Sequence, residues 1–413
     1  MEGKTKAIIA AAAVIAIGVA GYGKISEKLS KDPVITGLQA EFVGEVAPGQ
    51  DLSKSMFVVK GITASGQLVP LKNFSSETTT AATNGETCEV VITSQGYEST
   101  AIVPITRTPI FEQNIGYPNE EDATVTCYEN GDLEFAGSGD ITNFTNALPW
   151  ADMEYSHVYI EESLNIENMD NWFYGNTNLV YCDSLPKTLK TMKSTFAGCE
   201  ALEKTPDYFQ CSGLKIMDYA FSGCTGLKEL DIIPVNVTTA KYAFENCTSL
   251  QTPVDLSKTS TLQNIAGIHN GCTNLRNATE VPETVTNMDY AFKNCINIKE
   301  AVKFPETIQS AASTYEGDTA LVTGAAIPES VINFSNCYGG CASLCGNLEI
   351  NSDAAEYSGC LSGATTNGDK LTISGNSGNL LAIQKDAGNG NITLADQEAA
   401  AQQNERMMRE QEE

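Results

Sequence analysis

The sequence predicts a mainly β chain with short helices: an N-terminal helix, a small β-sandwich, then a solenoid of stacked coils. Three observations carry that reading. A motif pairing an aromatic residue with a cysteine three positions later recurs through the second half of the chain. Short alternating runs broken by turn residues fill the stretch before it. An uncharged apolar run stands near the first residue.

The chain opens on MEGKTK, followed by 17 uncharged, mostly apolar residues at 7–23. A basic lead before an apolar run marks a secretory signal or a membrane anchor, so residues 1–31 are assigned as a signal peptide or anchor helix. A span needs about 20 apolar residues, so this run is short for one. Gly18, Val19 and Ala20 offer small residues for cleavage. Lysines flank both ends (Lys4 and Lys6; Lys24, Lys28 and Lys31), so charge leaves the orientation open.

Residues 32–108 alternate apolar and polar positions in roughly six short runs, with Ser65-Gly66 and Asn84-Gly85 as turns, which predicts a β-sandwich. The opening ITGL at 35–38 and the PGQDL turn at 48–52 resemble bacterial immunoglobulin-like modules. That resemblance implies a spacer. A Cys…Trp…Cys arrangement is missing, with Cys88 alone.

Residues 109–166 are read as a linker and the N-terminal cap of the solenoid, and 167–364 as its repeats. PETVTNMDYAFKNCINI at 282–298 has close copies at 186–202 and 234–250. Aligned on the aromatic, one column reads Phe173, Phe196, Phe221, Phe244, His269, Phe292, Tyr315, Tyr338 and Tyr357. Three residues on, a second reads Asn176, Cys199, Cys224, Cys247, Cys272, Cys295, Asp318, Cys341 and Cys360. Its steps are 23, 25, 23, 25, 23, 23, 23 and 19 residues. Self-similarity at about 20 to 29 residues marks a leucine-rich-repeat-type solenoid. One coil cannot bury its own apolar side and must stack on its neighbours. Within a coil the proline favours an extended start. Apolar residues three and four apart then suggest a short helical turn with one buried face, and Gly or Asn before the cysteine supplies a left-handed angle.

Gly131-Asp132-Leu133, Gly137-Ser138-Gly139, Pro149-Trp150 and the VYIEE run at 158–162, followed by units of the form AF-x-[GN]-C-x-x-L, resemble BspA-like leucine-rich-repeat proteins over about 123–363. The resemblance implies a right-handed solenoid whose first strands cover its open end, and adhesion to host proteins, matrix or other cells. His269 in the aromatic column, Asp318 in the cysteine column and a shortened last copy depart from the pattern, so a less uniform superhelix is expected over 260–365. Residues 365–396 read as strand, short helix and strand, a C-terminal cap; 397–413 is a charged tail expected to be disordered.

Thirteen cysteines make at least one unpaired, and most belong to the repeat. Ladder disulfides would need a strained dihedral between parallel side chains. A metal at Cys337, Cys341 and Cys345 lacks a neighbouring histidine. Buried thiols are the reading adopted.

The formal net charge of −27 argues against nucleic-acid binding. His157 and His269 are the only histidines, and neither accompanies a nucleophile motif; His269 is read as a solvated or edge-packed imidazole. Gly137-Ser138-Gly139 is too short for a phosphate loop. Glu161-Glu162 and the NEED run at 119–122 read as exposed charge, since adjacent carboxylates on a strand face opposite ways. No catalytic, cofactor or metal residue is assigned, no cofactor is expected, and no ligand-contact residue is nominated. The function read from this pattern is an exported surface protein that recognises a macromolecule through its repeats, membrane-attached through residues 1–31 if they are uncleaved. The alternative is a non-adhesive envelope or virion-appendage component that self-assembles through its repeats.

Overall fold

The computed structural model describes residues 34–396, apart from 45, 48, 79, 83–86 and 145–146. The expected helix within residues 1–31 and the tail at 397–413 lie outside the described residues. Among those described, no helix is long and apolar enough to cross a membrane.

The chain forms two compact units, the first running to Pro109 with Tyr128–Asn130. Its strands are β1 (Gly37–Phe42), β2 (Phe57–Ile62), β3 (Leu68–Pro70), β4 (Ser75–Ser76), β5 (Thr87–Ser94) and β6 (Tyr97–Pro104). They make two three-stranded antiparallel sheets, β1–β2–β3 and β4–β5–β6. The period of two puts Val90 and Ile92 of β5, and Ala101 and Val103 of β6, on a buried face. Leu38 and Ala40 of β1 and Phe57 and Val59 of β2 join them in one apolar cluster. The six alternating runs are therefore strands around a shared core.

The second unit takes up the chain at Ile110, and its first strands, sharing Pro109 and Tyr128 with the first unit at their ends, are β7 (Pro109–Asn114), β8 (Ala123–Tyr128), β9 (Asp132–Gly137), β10 (Gly139–Asp140), β11 (His157–Ile160), β12 (Leu164–Asn165) and β13 (Tyr181–Cys182). A five-stranded sheet runs in the order β13–β11–β9–β8–β7. It changes character midway: β8 and β9 are antiparallel, whereas β9, β11 and β13 are parallel. Parallel pairing is what coil-on-coil stacking requires. Phe135, Trp150 and Trp172 close the interior here with ring centroids 4.8 to 5.3 Å apart, and Trp150 Nε1–H donates to the Trp172 carbonyl at 3.2 Å.

From there single-residue parallel bridges climb Asn168, Thr191, Ile216, Thr239, Asn264, Asn287, Ser310, Asn333 and Glu356, nine coils in register. The interior rings from Phe173 to Tyr338 stack with centroids 5.2 to 6.0 Å apart, and between Phe196, Phe221 and Phe244 the planes lie within 2°. Burying a ring of this size is worth roughly 1.5–3 kcal/mol, and here every rung is buried. The solenoid core is one continuous cluster from Ile115 to Ile392.

The expected helical turn is not an α-helix. In every coil the residues two before and two after the core ring take left-handed angles, such as Tyr219 (φ 58°) and Gly223 (φ 76°) around Phe221. Two such residues, four apart, break any helix and send alternate amides outward. Phe221 N–H donates to Ala243 of the next coil at 2.8 Å, while Ser222 N–H closes a turn on Tyr219 at 3.1 Å. The later position is Gly or Asn in all nine coils.

The last coil corrects the alignment. Tyr338 N–H donates to the Cys360 carbonyl, as Tyr315 N–H does to that of Cys337. The residue continuing the aromatic column is therefore Leu361, with Ala364 after it, while Tyr357 packs on Phe334 at 6.3 Å. The copy is not shortened, because its bridge step from Asn333 to Glu356 is 23 residues. YSGC imitated the motif four residues early. The stack also stays regular through 260–365, against the expectation of a less uniform superhelix. Within the last coils β14 (Gly346–Glu349) joins β15 (Leu371–Ser374) and β16 (Ile392–Leu394), which follow them, in a parallel sheet, with α1 (Leu380–Ala387) between the last two strands.

Candidate functional site

The residues singled out for chemistry do not converge. His157 Nδ1 stands 3.0 Å from Ser156 Oγ and 3.7 Å from Asp132 Oδ1, so hydroxyl and carboxylate meet the same ring nitrogen. A proton relay needs them on opposite nitrogens. His269 is neither solvated nor edge-packed: it is fully buried and stacks between Phe244 and Phe292 at 5.7 and 6.0 Å. Its Nε2 accepts the Val254 N–H at 3.2 Å, and burial holds its pKa down to about 3, so the ring is a neutral rung of the aromatic column. Glu162 pairs with Lys187 at 2.8 Å, whereas Glu161 accepts the Gly137 N–H at 2.8 Å. Asn119 and Asp122 bond each other at 3.1 Å across a short 3₁₀ turn, and Gly137-Ser138-Gly139 joins β9 to β10.

The cysteine column is a ladder of free thiols. Each Sγ donates to the carbonyl of the core ring one coil back: Cys224 to Phe196 at 3.0 Å, Cys247 to Phe221 at 3.2 Å, Cys295 to His269 at 3.1 Å. Burial pushes the thiols up, to about 12 for Cys224 and Cys272. Cys341 donates to Tyr315 at 3.1 Å and Cys337 is buried one turn away, so with half-exposed Cys345 they do not share a centre. Among the described residues no group of three or more His, Cys, Asp or Glu side chains is placed to hold a metal ion.

A groove of about 840 Å³ lies instead on the outer surface of the coils around β13. Its apolar lining includes Val180, Tyr181 and Phe209, large side chains that are 46%, 43% and 55% exposed, together with Pro206 and Ile232. Carboxylates of Asp183, Glu203, Asp207, Glu229 and Asp231 line it too, against one ammonium, Lys204. Local bonding sets this arrangement. Asp207 Oδ1 accepts the Phe209 N–H at 3.1 Å, an Asx turn that leaves Phe209 outside the core, and Asp231 Oδ1 accepts the Ile232 N–H at 2.7 Å. Tyr181 Oη donates to Asp183 Oδ1 at 3.2 Å; partial burial and that carboxylate both raise the phenol pKa. The coil carrying Phe209 is one of the two lengthened to 25 residues.

Sequence reasoning nominated none of these residues. One signal was present: aspartate recurs at 183, 207, 231 and 255, always 24 residues apart and out of step with the 23- and 25-residue core columns.

The BspA-type leucine rich repeat region model matches residues 151–250, 194–321 and 269–359, in six copies, together half of the chain. The chain belongs to that family. BspA-type repeats are associated with protein–protein interaction and surface roles. Among solved structures, a T. pallidum leucine rich repeat protein is similar at 17% identity, over 55% of this chain and 91% of that one, with a TM-score of 0.30. A leucine-rich repeat protein from Eubacterium ventriosum shares 14% identity over 62% and 95%, also at 0.30. A leucine rich cell surface protein from Faecalibacterium prausnitzii shares 14% over 67% and 94%, again at 0.30. No curated protein matches the BspA-type chain.

Proposed function

We propose that this is an exported surface protein whose BspA-type solenoid recognises a macromolecular partner. In this reading residues 1–31 direct export or anchor the chain, and the first unit is an immunoglobulin-like spacer that holds the repeats away from the cell. The observation that carries the reading is the groove around Tyr181 and Phe209. A folded chain gains by burying such rings, and here two of them stand in the open beside a third large apolar side chain. Exposed apolar surface rimmed by polar groups marks an interaction site. A partner would cover the rings, and aromatic residues of this kind contribute most of the energy at interfaces.

The test is binding of the full chain to a panel of purified matrix and cell-surface proteins, beside the Tyr181→Ala/Phe209→Ala double variant. Losing two anchors of about 1–2 kcal/mol each predicts at least a tenfold weaker Kd with unchanged thermal stability. Equal binding by both proteins to every partner would remove the groove from the reading.

A further inference from the structure

We infer that the groove takes an extended, cationic stretch of the partner, one carrying lysine or arginine beside apolar side chains. The inference rests on the recognition reading above and adds the chemistry of the ligand.

Charge selects the partner's sign. Of the five lining carboxylates, Glu203 is answered from outside the groove by Lys228 at 2.6 Å. Among the described residues Asp183, Asp207, Glu229 and Asp231 meet no cation within ion-pair distance, and Lys204 is the one cation in the lining. An acidic or neutral segment would leave those charges uncompensated, and like charges at an interface repel.

Geometry selects an extended segment. Asp183, Asp207 and Asp231 each engage Oδ1 in a local hydrogen bond (3.2, 3.1 and 2.7 Å), which holds the carboxylate in place and leaves Oδ2 unengaged. The carboxylates come from successive coils, and core rings on the coils that Asp207 and Asp231 bracket stack 5.2 to 5.5 Å apart. An extended chain presents same-side residues about 6.6–6.8 Å apart, close enough for flexible lysine or arginine heads to reach such a row. Val180, Tyr181 and Phe209 then receive the aliphatic or aromatic side chains between them.

The experiment is fluorescence anisotropy of three labelled octapeptides with the full chain: alternating lysine–leucine, glutamate–leucine and lysine–serine. Only lysine–leucine is expected to bind, about tenfold more weakly in 0.5 M than in 0.05 M salt because the contacts are exposed to screening. Asp207→Asn/Asp231→Asn should weaken it about five- to tenfold, and Phe209→Ala by a similar factor. Glu89→Gln/Glu98→Gln, which removes the same charge from exposed positions on β5 and β6, should leave it unchanged. Equal binding of lysine–serine, or equal weakening by the β5 and β6 variant, would mean diffuse attraction to a chain of net charge −27 and overturn the inference. Binding of glutamate–leucine, or no binding of lysine–leucine up to millimolar concentration, would also overturn it. The recognition reading survives either result if the Tyr181→Ala/Phe209→Ala variant still loses a protein partner.

Discussion

Asp318 sits where eight other coils place Asn, Cys or Ala, and the physics of that substitution is unfavourable. The carboxyl is fully buried and neither oxygen makes a hydrogen bond, whereas Cys295 and Cys341 in the flanking coils each donate to a carbonyl. Burial raises its pKa well above the ordinary 3.8; the nearby Cys295 backbone N–H pulls the other way without reaching hydrogen-bond geometry. Below pH 3.8 the proton is bound in folded and unfolded chains alike, and nothing is lost. Above it the unfolded chain releases the proton while the folded chain keeps it, so stability falls as pH rises, by about 1.4 kcal/mol per pH unit until the folded pKa is reached. Asp318→Asn removes that dependence. Denaturant titrations at pH 4 and pH 7 should therefore show the variant's advantage widening with pH; a gap that stays constant would mean the carboxyl ionises freely in the fold.

At the scale of the coil, hydrogen bonding is satisfied in two interchangeable ways that the repeat pattern hides. Where the bridge residue is Asn, its own Oδ1 takes the amide two residues on, as Asn287 does for Asp289 at 3.0 Å. Where it is Ser or Thr, an aspartate of the preceding coil takes that amide: Asp289 Oδ1 accepts Ala312 N–H at 2.8 Å and Ser310 Oγ–H at 2.6 Å. Asp218 does the same for Lys241 and Thr239 at 2.9 and 2.6 Å. Removing such an aspartate orphans groups in a different coil. Asp289→Ala is expected to cost about 1–3 kcal/mol, against a few tenths for Glu306→Ala, whose carboxylate makes only an exposed ion pair with Lys303 at 3.3 Å among the described residues. Urea midpoints of the two variants check the contrast; equal small losses would mean the Asp289 bonds are not intact in solution. The last coil carries a related lesson. Tyr357 matched the motif's aromatic, glycine and cysteine, but the Cys360 carbonyl meets the amide ladder and puts Leu361 on the core column, because register is set by the neighbouring coil rather than by residue type.

For the whole molecule, two apolar clusters predict two separable stabilities. The first unit's cluster holds thirteen buried residues among those described, far fewer than the solenoid's. Native-state hydrogen exchange in rising denaturant should release the β5 and β6 amides on an earlier isotherm than those around Phe221 to Phe292. One shared isotherm would show a single cooperative block instead. What was legible in the sequence was the solenoid itself, and the coil lengths and buried ring-and-thiol columns in all but the last coil. Each depends on a pattern that every coil repeats, so local spacing reports it directly. Tertiary structure decided the rest: His269 as a stacked rung, Leu361 in place of Tyr357, and a groove joining Tyr181, Phe209 and Asp231. Those features exist only between coils. Residues 23 to 25 positions apart become neighbours once parallel stacking has brought their amides into register, and no single repeat contains the information.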